Sequence, residues 1–205
     1  YQRNKENILK EYKFIVPCMN TDKICIFTDK GKMHTIKAVD IPLGRFRDKG
    51  TPVDNLSNYD SSQERMLYVA PVGQLRSDRL LFVTKTSMCK LVEGAEFDVA
   101  KRTIASTKLA DEDELIFIGS ASEMEQIVLQ SHGGCFLRFL TQEVSTMKKT
   151  ALGVRGMKLA DDDYLEHAYL LAGHQEYAIS YHDKEYALNK VRLAKRDTKG
   201  IKPRI

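Results

Sequence analysis

Short apolar runs separated by turn residues are the dominant pattern along this chain. Residues 24–28 form one such run, residues 29–32 form a turn that contains Gly31, and residues 33–39 form a second run. Apolar runs of this length beside a glycine-containing turn are typical of β-strands joined in a hairpin. No stretch sustains the 3.6-residue period of an amphipathic helix, so the pattern predicts an all-β protein.

The same pattern restarts three times along the sequence. Residues 80–84, 127–131 and 177–181 each form an apolar run that leads into a turn and a returning run. We therefore expect four units, each with about four short strands. The units cover residues 21–70, 78–120, 125–171 and 176–205, and in the first unit residues 53–56 and 66–69 are candidates for further strands. Residues 1–20, with a short strand at 14–16, are a candidate source of strands for the last unit.

A unit of 40–50 residues with four strands has the size of a propeller blade. The predicted architecture is therefore a single domain, residues 1–205, in which about four four-stranded blades form a ring. A ring leaves only short strand edges exposed, which suits a chain with so many short strands. Two stacked four-stranded barrels are the alternative fold.

A repeated hexapeptide supports this period. Residues 108–113 read Lys-Leu-Ala-Asp-Glu-Asp, and residues 158–163 read Lys-Leu-Ala-Asp-Asp-Asp, 50 residues later. The acidic triplets resemble metal ligands, but a calcium loop needs alternating ligands, a glycine at the bend and a distal glutamate, which this spacing lacks. Aspartate in a tight turn hydrogen-bonds its own backbone, so we expect structural turns and no metal site.

Composition indicates an ordinary globular protein with a mildly basic surface, since the net charge of the 205 residues is +4. The four cysteines form no C-x-x-C pair, which favours free thiols and a cytoplasmic location. No apolar run approaches 18 residues, so no membrane association is expected. The chain begins at Tyr1 rather than at a methionine, so we expect a fragment of a longer polypeptide.

Motifs of the common enzyme classes are absent from the sequence. The five histidines form no His-Glu-x-x-His pair, and there is neither a Gly-x-Ser-x-Gly motif nor a Walker-type glycine-rich loop. We therefore expect no catalytic residue and no cofactor in this domain, which would not be an enzyme on its own.

Basic residues recur in the loop region of every unit. If the units are blades, equivalent loops lie on one side of the ring, and charges scattered in sequence become a stripe that suits the phosphate backbone of DNA. The predicted DNA-binding residues are Arg45, Arg47, Lys49, Lys101, Arg102, Lys148, Lys149, Arg155, Lys190, Arg192, Lys195, Arg196 and Lys199. The alternative is a propeller that serves as a protein-interaction platform with solvated basic loops, and an enzyme site in a central channel is the weakest hypothesis.

Several stretches carry a resemblance to a known family. They are residues 27–32, Phe-Thr-x-x-Gly-Lys, residues 41–42, Ile-Pro, residues 47–56, Arg-Asp-Lys-Gly-Thr-Pro-Val-x-Asn-Leu, and residues 153–163, Gly-Val-Arg-Gly-Met-Lys-Leu-x-x-Asp-Asp. In this order they resemble the repeat of the C-terminal domain found in the A subunits of bacterial DNA gyrase and topoisomerase IV.

The resemblance implies a β-pinwheel, a propeller-like ring whose blades exchange strands and whose basic rim binds duplex DNA and bends or wraps it. It implies an accessory domain of an ATP-dependent type IIA topoisomerase, an isomerase of the bacterial cytoplasm, that presents DNA for strand passage. The implied partners are duplex DNA, the ATPase B subunit and the remainder of the A subunit, in an A2B2 assembly. ATP and Mg²⁺ would be used elsewhere in the holoenzyme.

One stretch departs from the gyrase pattern. The gyrase type carries a Gln-Arg-Arg-Gly-Gly-Lys-Gly box near the start of this domain. Residues 2–7 here read Gln-Arg-Asn-Lys-Glu-Asn, a degenerate box that keeps Gln2, Arg3 and Lys5 but lacks the glycines, and residues 195–200 are a looser echo. The resemblance therefore favours bending of a captured duplex, as in the topoisomerase IV type, over chiral wrapping.

Overall fold

The structure, a computed structural model, describes residues 10–45 and 48–204 and is built mainly of antiparallel β-strands. The strands, numbered in chain order, are β1 (Lys23–Thr28), β2 (Lys32–Lys37), β3 (Met66–Pro71), β4 (Arg79–Thr84), β5 (Met88–Glu93), β6 (Thr103–Ala105), β7 (Leu115–Ser120), β8 (Gln126–Ser131), β9 (Phe136–Leu140), β10 (Val154–Arg155), β11 (Leu165–Leu171), β12 (Ala178–Tyr181) and β13 (Lys184–Ala187). Helical elements are short and comprise the α-helix Val72–Leu75 and the 3-10 helices Ala38–Asp40, Val53–Asn55, Gly94–Phe97, Thr141–Glu143 and Leu188–Lys190. The all-β prediction is confirmed.

The strands form four separate sheets, which we number as blades. The first blade has the order β3-β1-β2-β6, the second β10-β5-β4-β7, the third β11-β8-β9 and the fourth β12-β13. The propeller-like class is thus confirmed, but among the described residues only the first two blades have the four strands that the sequence predicted. Ile201 adds an isolated antiparallel bridge to Phe136 at the outer edge of the third blade.

The outermost strand of a blade comes from the next unit of the chain. β6 follows β5 in sequence yet pairs with β2, and β10 follows β9 yet pairs with β5. Gly153 precedes β10 with a φ of +107°, and a Cβ there would lie 2.6 Å from the carbonyl oxygen of Cys89. Glycine therefore allows the exchanged strand to approach the neighbouring backbone closely.

The contacts between successive blades repeat as well. Ser106 N donates to the Gly31 carbonyl at 2.8 Å between the second unit and the first blade, and Gly156 N donates to the Ser87 carbonyl at 2.7 Å one step later. Buried apolar side chains fill the space between the blades, and Phe27 packs edge-on against Phe97 with ring centroids 4.9 Å apart. Each blade covers the apolar face of its neighbour, which a sheet of two to four strands cannot bury alone.

Two predicted strands are not formed. Residues 53–56 form the 3-10 helix Val53–Asn55 instead, and residues 14–16 have no strand pairing. Residues 53–55 correspond in chain order to β6 and β10, which pair with the preceding blade. No described blade precedes the first one, so this segment lacks a sheet edge to join.

The two acidic hexapeptides are turns at the blade boundaries. Glu112 and Asp162 take the left-handed conformation, with φ of 59° and 60°. Asp113 accepts a 2.6 Å hydrogen bond from Thr86 Oγ1, and Asp163 accepts a 2.8 Å bond from Gly133 N. These carboxylates thus fasten the turn to the hairpin of the same blade, and within 10–45 and 48–204 no group of three or more His, Cys, Asp or Glu side chains could hold a metal ion.

Across the described residues, no helix has the length and apolar character that crossing a membrane requires.

Candidate nucleic-acid interface

Four loops hold most of the basic residues that the sequence singled out. We call them the first (41–52), second (98–102), third (144–153) and fourth (191–200) edge loops, and each follows a 3-10 helix. The second, third and fourth lead to β6, β10 and Ile201, which lie at the outer edge of the preceding blade. These three edge loops therefore share one topological position at the outside of the blades, and the first has the same place in chain order.

The third and fourth edge loops are anchored in the same way. Lys149 N donates to Glu96 Oε2 at 3.1 Å, and Arg196 N donates to Glu143 Oε2 at 3.0 Å. The side chains of the same two residues also donate to the backbone carbonyls of the same glutamates, at 3.4 and 3.1 Å. Sequence reasoning missed both glutamates, although each lies 53 residues before its basic partner, a regularity that a search for repeated spacings would have found.

The anchoring leaves a more exposed lysine beside each anchored residue. The side chain of Lys148 is 82% exposed and its Nζ lies 3.6 Å from Glu96 Oε1, a surface ion pair of little energetic weight. Lys195, which precedes Arg196 as Lys148 precedes Lys149, is also exposed. Each of these two loops thus combines one held cation with one that can reach outward.

Arg155 and Arg196 are brought together at the outer edge of the second and third blades. Arg155 pairs with Asp197 through two hydrogen bonds, which raise the pKa of the guanidinium and lower the pKa of the carboxyl. Arg196 Nη1 donates to the Arg155 carbonyl at 2.6 Å. Part of this positive charge is therefore neutralised within the protein, so these arginines order the loop in addition to charging it.

The first two edge loops are held by contacts other than the glutamate anchors of the third and fourth. The Arg45 side chain is 91% exposed and its Nε lies 3.7 Å from Asp48. Arg102 donates to the Leu56 carbonyl at 3.2 Å. The second edge loop has five residues against ten in the third, so it carries no counterpart of Lys148.

The remaining predicted site residues divide into two groups. Exposed residues in or beside the edge loops are Lys49, Lys101, Lys190, Arg192 and Lys199. Residues outside the described part of the chain are Gln2, Arg3, Lys5 and Arg47. DNA binding by any of these residues stays a prediction.

The sequence matches one family over most of its length. Residues 22–61, 78–122 and 125–172, together more than half of the chain, match the family described as DNA gyrase C-terminal domain, beta-propeller. These segments correspond to the first three units of the repeat.

Similar proteins agree with this family. The A subunit of DNA gyrase from Ureaplasma parvum is 28% identical over 92% of this chain, and that from Salmonella typhimurium is 32% identical over 76%. The chain spans 23% and 18% of the length of these two relatives.

Two solved structures share the fold. The C-terminal domain of DNA topoisomerase IV superposes with a TM-score of 0.80 at 24% identity, covering 89% of this chain and 58% of that one. The DNA gyrase A C-terminal domain gives a TM-score of 0.68 at 22% identity, covering 91% and 61%. On the repeated blades, the exchanged outer strands and these matches, the chain belongs to the DNA gyrase C-terminal domain family.

Proposed function

We propose that this chain is the non-catalytic DNA-binding domain of the A subunit of a bacterial type II topoisomerase. It would bind duplex DNA along the edge loops and bend it, so that the remainder of the enzyme can capture the segment for strand passage. This role requires an ATPase B subunit and the remainder of the A subunit as partners, with ATP and Mg²⁺ bound there. The bacterial cytoplasm, where the chromosome lies, is the expected location.

The observation that carries the proposal is the repeated anchoring of the edge loops. Glu96 and Glu143 hold Lys149 and Arg196 in equivalent positions on successive blades, and Lys148 and Lys195 remain exposed beside them. Affinity for a phosphate backbone comes from neutralising successive charges, and exposed cations at equivalent positions of successive blades suit this purpose. Phosphate contacts carry no base code, so little sequence preference is expected.

The experiment is a salt titration of duplex binding by the variant Arg45→Ala/Lys148→Ala/Lys195→Ala, which removes one exposed cation from each of three edge loops. Fluorescence anisotropy with a labelled linear duplex gives the association constant at each salt concentration. The slope of its logarithm against the logarithm of salt should become shallower by about 0.9 for each phosphate that the variant no longer neutralises.

A matched control removes three cations at the other end of the strands. Lys30, Lys85 and Lys184 lie at the hairpin turns of the first, second and fourth blades, so the variant Lys30→Ala/Lys85→Ala/Lys184→Ala has the same net charge. We expect it to keep the wild-type slope. Equal slopes for the two variants would remove the edge loops from the contact surface. A wild-type chain that binds no duplex at low salt would contradict the proposal and favour a protein-interaction platform.

A further inference from the structure

Lys90 is a buried lysine in the middle of an apolar strand. It lies in β5 and is 2% exposed, and its Nζ is 5.7 Å from the centroid of the Phe82 ring. Burial lowers its pKa from 10.5 to about 8, although nearby Glu96 acts in the opposite direction. An ammonium group removed from water needs hydrogen-bond partners to offset the cost of desolvation.

Those partners belong to the third edge loop. Lys90 Nζ donates to the carbonyl oxygens of Lys149 at 2.8 Å and Ala151 at 2.7 Å. Ala151 N donates to the Lys148 carbonyl at 3.0 Å, which closes a turn between the two. The side chain of Lys90 therefore fixes the backbone of the turn from which Lys148 projects.

Two other residues hydrogen-bond to the same turn. Glu96 accepts from Lys149 N, and Lys108 N donates to the Lys149 carbonyl at 3.1 Å. Hydrogen bonds from an ionised donor are stronger than those between neutral groups. Two of the carbonyls in the turn accept from the Lys90 ammonium, so this one side chain holds the backbone at two points of the turn.

The equivalent position in the third blade shows that a blade can form with an apolar residue there. Lys90 pairs with Phe82 in the second blade, and Leu137 pairs with Leu129 at the same position in the third blade. In the first blade this position holds the buried His34, which pairs with Ile26 and hydrogen-bonds to Glu64. Leu137 is 1% exposed and belongs to the apolar core. A blade of this family thus folds with leucine at this position, and the hydrogen-bonding role of Lys90 concerns the loop.

We infer that Lys90 is a positioning residue for DNA binding, which holds the third edge loop in the shape that presents Lys148 and Lys149 to the phosphate backbone. The inference rests on the proposed function of the edge loops. Lys90 itself does not contact DNA, because it is buried beneath the turn.

The test is a double-mutant cycle on duplex affinity and its salt slope. Lys90→Leu reproduces the leucine of the third blade, Lys148→Ala/Lys149→Ala removes the charges that the loop presents, and the third protein combines them. Lys32→Leu, an exposed lysine in β2, is the control for the loss of one charge from a strand. Thermal unfolding of each variant confirms that it is folded at the assay temperature.

We expect Lys90→Leu to weaken duplex binding several-fold and to shift the salt slope toward that of Lys148→Ala/Lys149→Ala, by about 0.9 for each phosphate that is no longer neutralised. The same substitution should have little further effect in the background that lacks the two loop lysines, because interacting sites are not additive. Amide hydrogen exchange in residues 147–153 should become faster in Lys90→Leu alone and unchanged in Lys32→Leu.

Two results would overturn the inference. If Lys90→Leu has the same duplex affinity and salt slope as Lys32→Leu, the third edge loop does not depend on the hydrogen bonds from Lys90. A full effect that persists in the background without Lys148 and Lys149 would show that Lys90 acts elsewhere. If Lys148→Ala/Lys149→Ala leaves duplex binding unchanged while hydrogen exchange responds to Lys90→Leu, Lys90 does fix the loop but the loop does not bind DNA. This result would contradict the inferred role in DNA binding.

Discussion

Burial changes the pKa of several side chains in this domain. Cys25 and Cys89 are buried, and burial raises the pKa of each thiol to about 12, so neither is a thiolate at neutral pH. Both are free, as the sequence predicted from their apolar surroundings. Burial disfavours the charged form of Lys90 as well, and because this form is the protonated ammonium, its pKa is lowered.

The titration of Lys90 should be visible in the pH dependence of stability. Because the pKa of Lys90 is about 8 when folded and 10.5 is its ordinary value, the unfolded chain holds more protons between these limits. The free energy of unfolding of the wild type relative to Lys90→Leu should therefore rise with pH from about 8 to 10.5, by at most about 1.4 kcal/mol per pH unit, and stay constant below about pH 8. Urea unfolding of both proteins at several pH values measures this difference. A difference that is flat across the whole range would show that Lys90 is not buried as a charged group.

At the scale of elements, the exchanged strands and the acidic turns set the spacing of the blades. β6 and β10 pair with the preceding sheet, and the segments that follow them lead through the acidic turns into β7 and β11. Asp113 and Asp163 bond to the hairpin turns of their own blades. The repeated hexapeptide therefore returns the chain to its own blade after β6 or β10 has paired with the preceding one.

A substitution in the first acidic turn separates this structural role from metal binding. Asp113→Ala should lower the free energy of unfolding by about 1 kcal/mol, because it removes the hydrogen bonds to Thr86. The exposed Asp111 is the control, and Asp111→Ala should change the stability by less than about 0.5 kcal/mol. Thermal unfolding with and without added calcium measures both effects. A calcium-dependent rise in Tm that Asp113→Ala or Asp111→Ala abolishes would indicate a metal site instead.

At the scale of the whole molecule, the arrangement of the blades decides what bound DNA can do. Under the proposed function, DNA that follows cations at the edges of successive blades in a ring must bend. Bending costs free energy that the phosphate contacts have to offset. The handedness of such a bend is a separate property, and the degenerate box of residues 2–7 that bears on it lies outside the described residues.

A topological assay tests the handedness. Nicked plasmid is incubated with the domain, ligated and deproteinised, and the distribution of linking number is read on a gel. Because the box lacks its glycines, we expect duplex binding without a positive shift in linking number. The variant Arg45→Ala/Lys148→Ala/Lys195→Ala serves as the weakly binding reference. A positive shift that grows with protein concentration would demonstrate chiral wrapping.

Sequence reasoning was most successful where a feature is local and repeated. Turn residues and apolar runs gave the strands around Gly31 and the unit period, because hairpins depend on neighbouring residues. It failed at residues 53–56, which correspond in chain order to the exchanged strands β6 and β10 but have no partner sheet among the described residues. It also missed Glu96 and Glu143, because their basic partners lie 53 residues away and only a search for repeated spacings connects them. It missed Lys90 because its partners Lys149 and Ala151 lie 59 and 61 residues away and accept through backbone carbonyls.

The amino-acid sequence by itself determined the all-β class, the period of about 50 residues, the turns and the recurrence of basic residues in each unit. The tertiary structure alone decided which sheet each outer strand joins, which cations are held by carboxylates and carbonyls, and which remain exposed. The physical reason is the distance along the chain over which each interaction acts. Strand and turn preferences act over a few residues, whereas strand exchange and the anchoring of the edge loops join groups that meet only after the blades have packed.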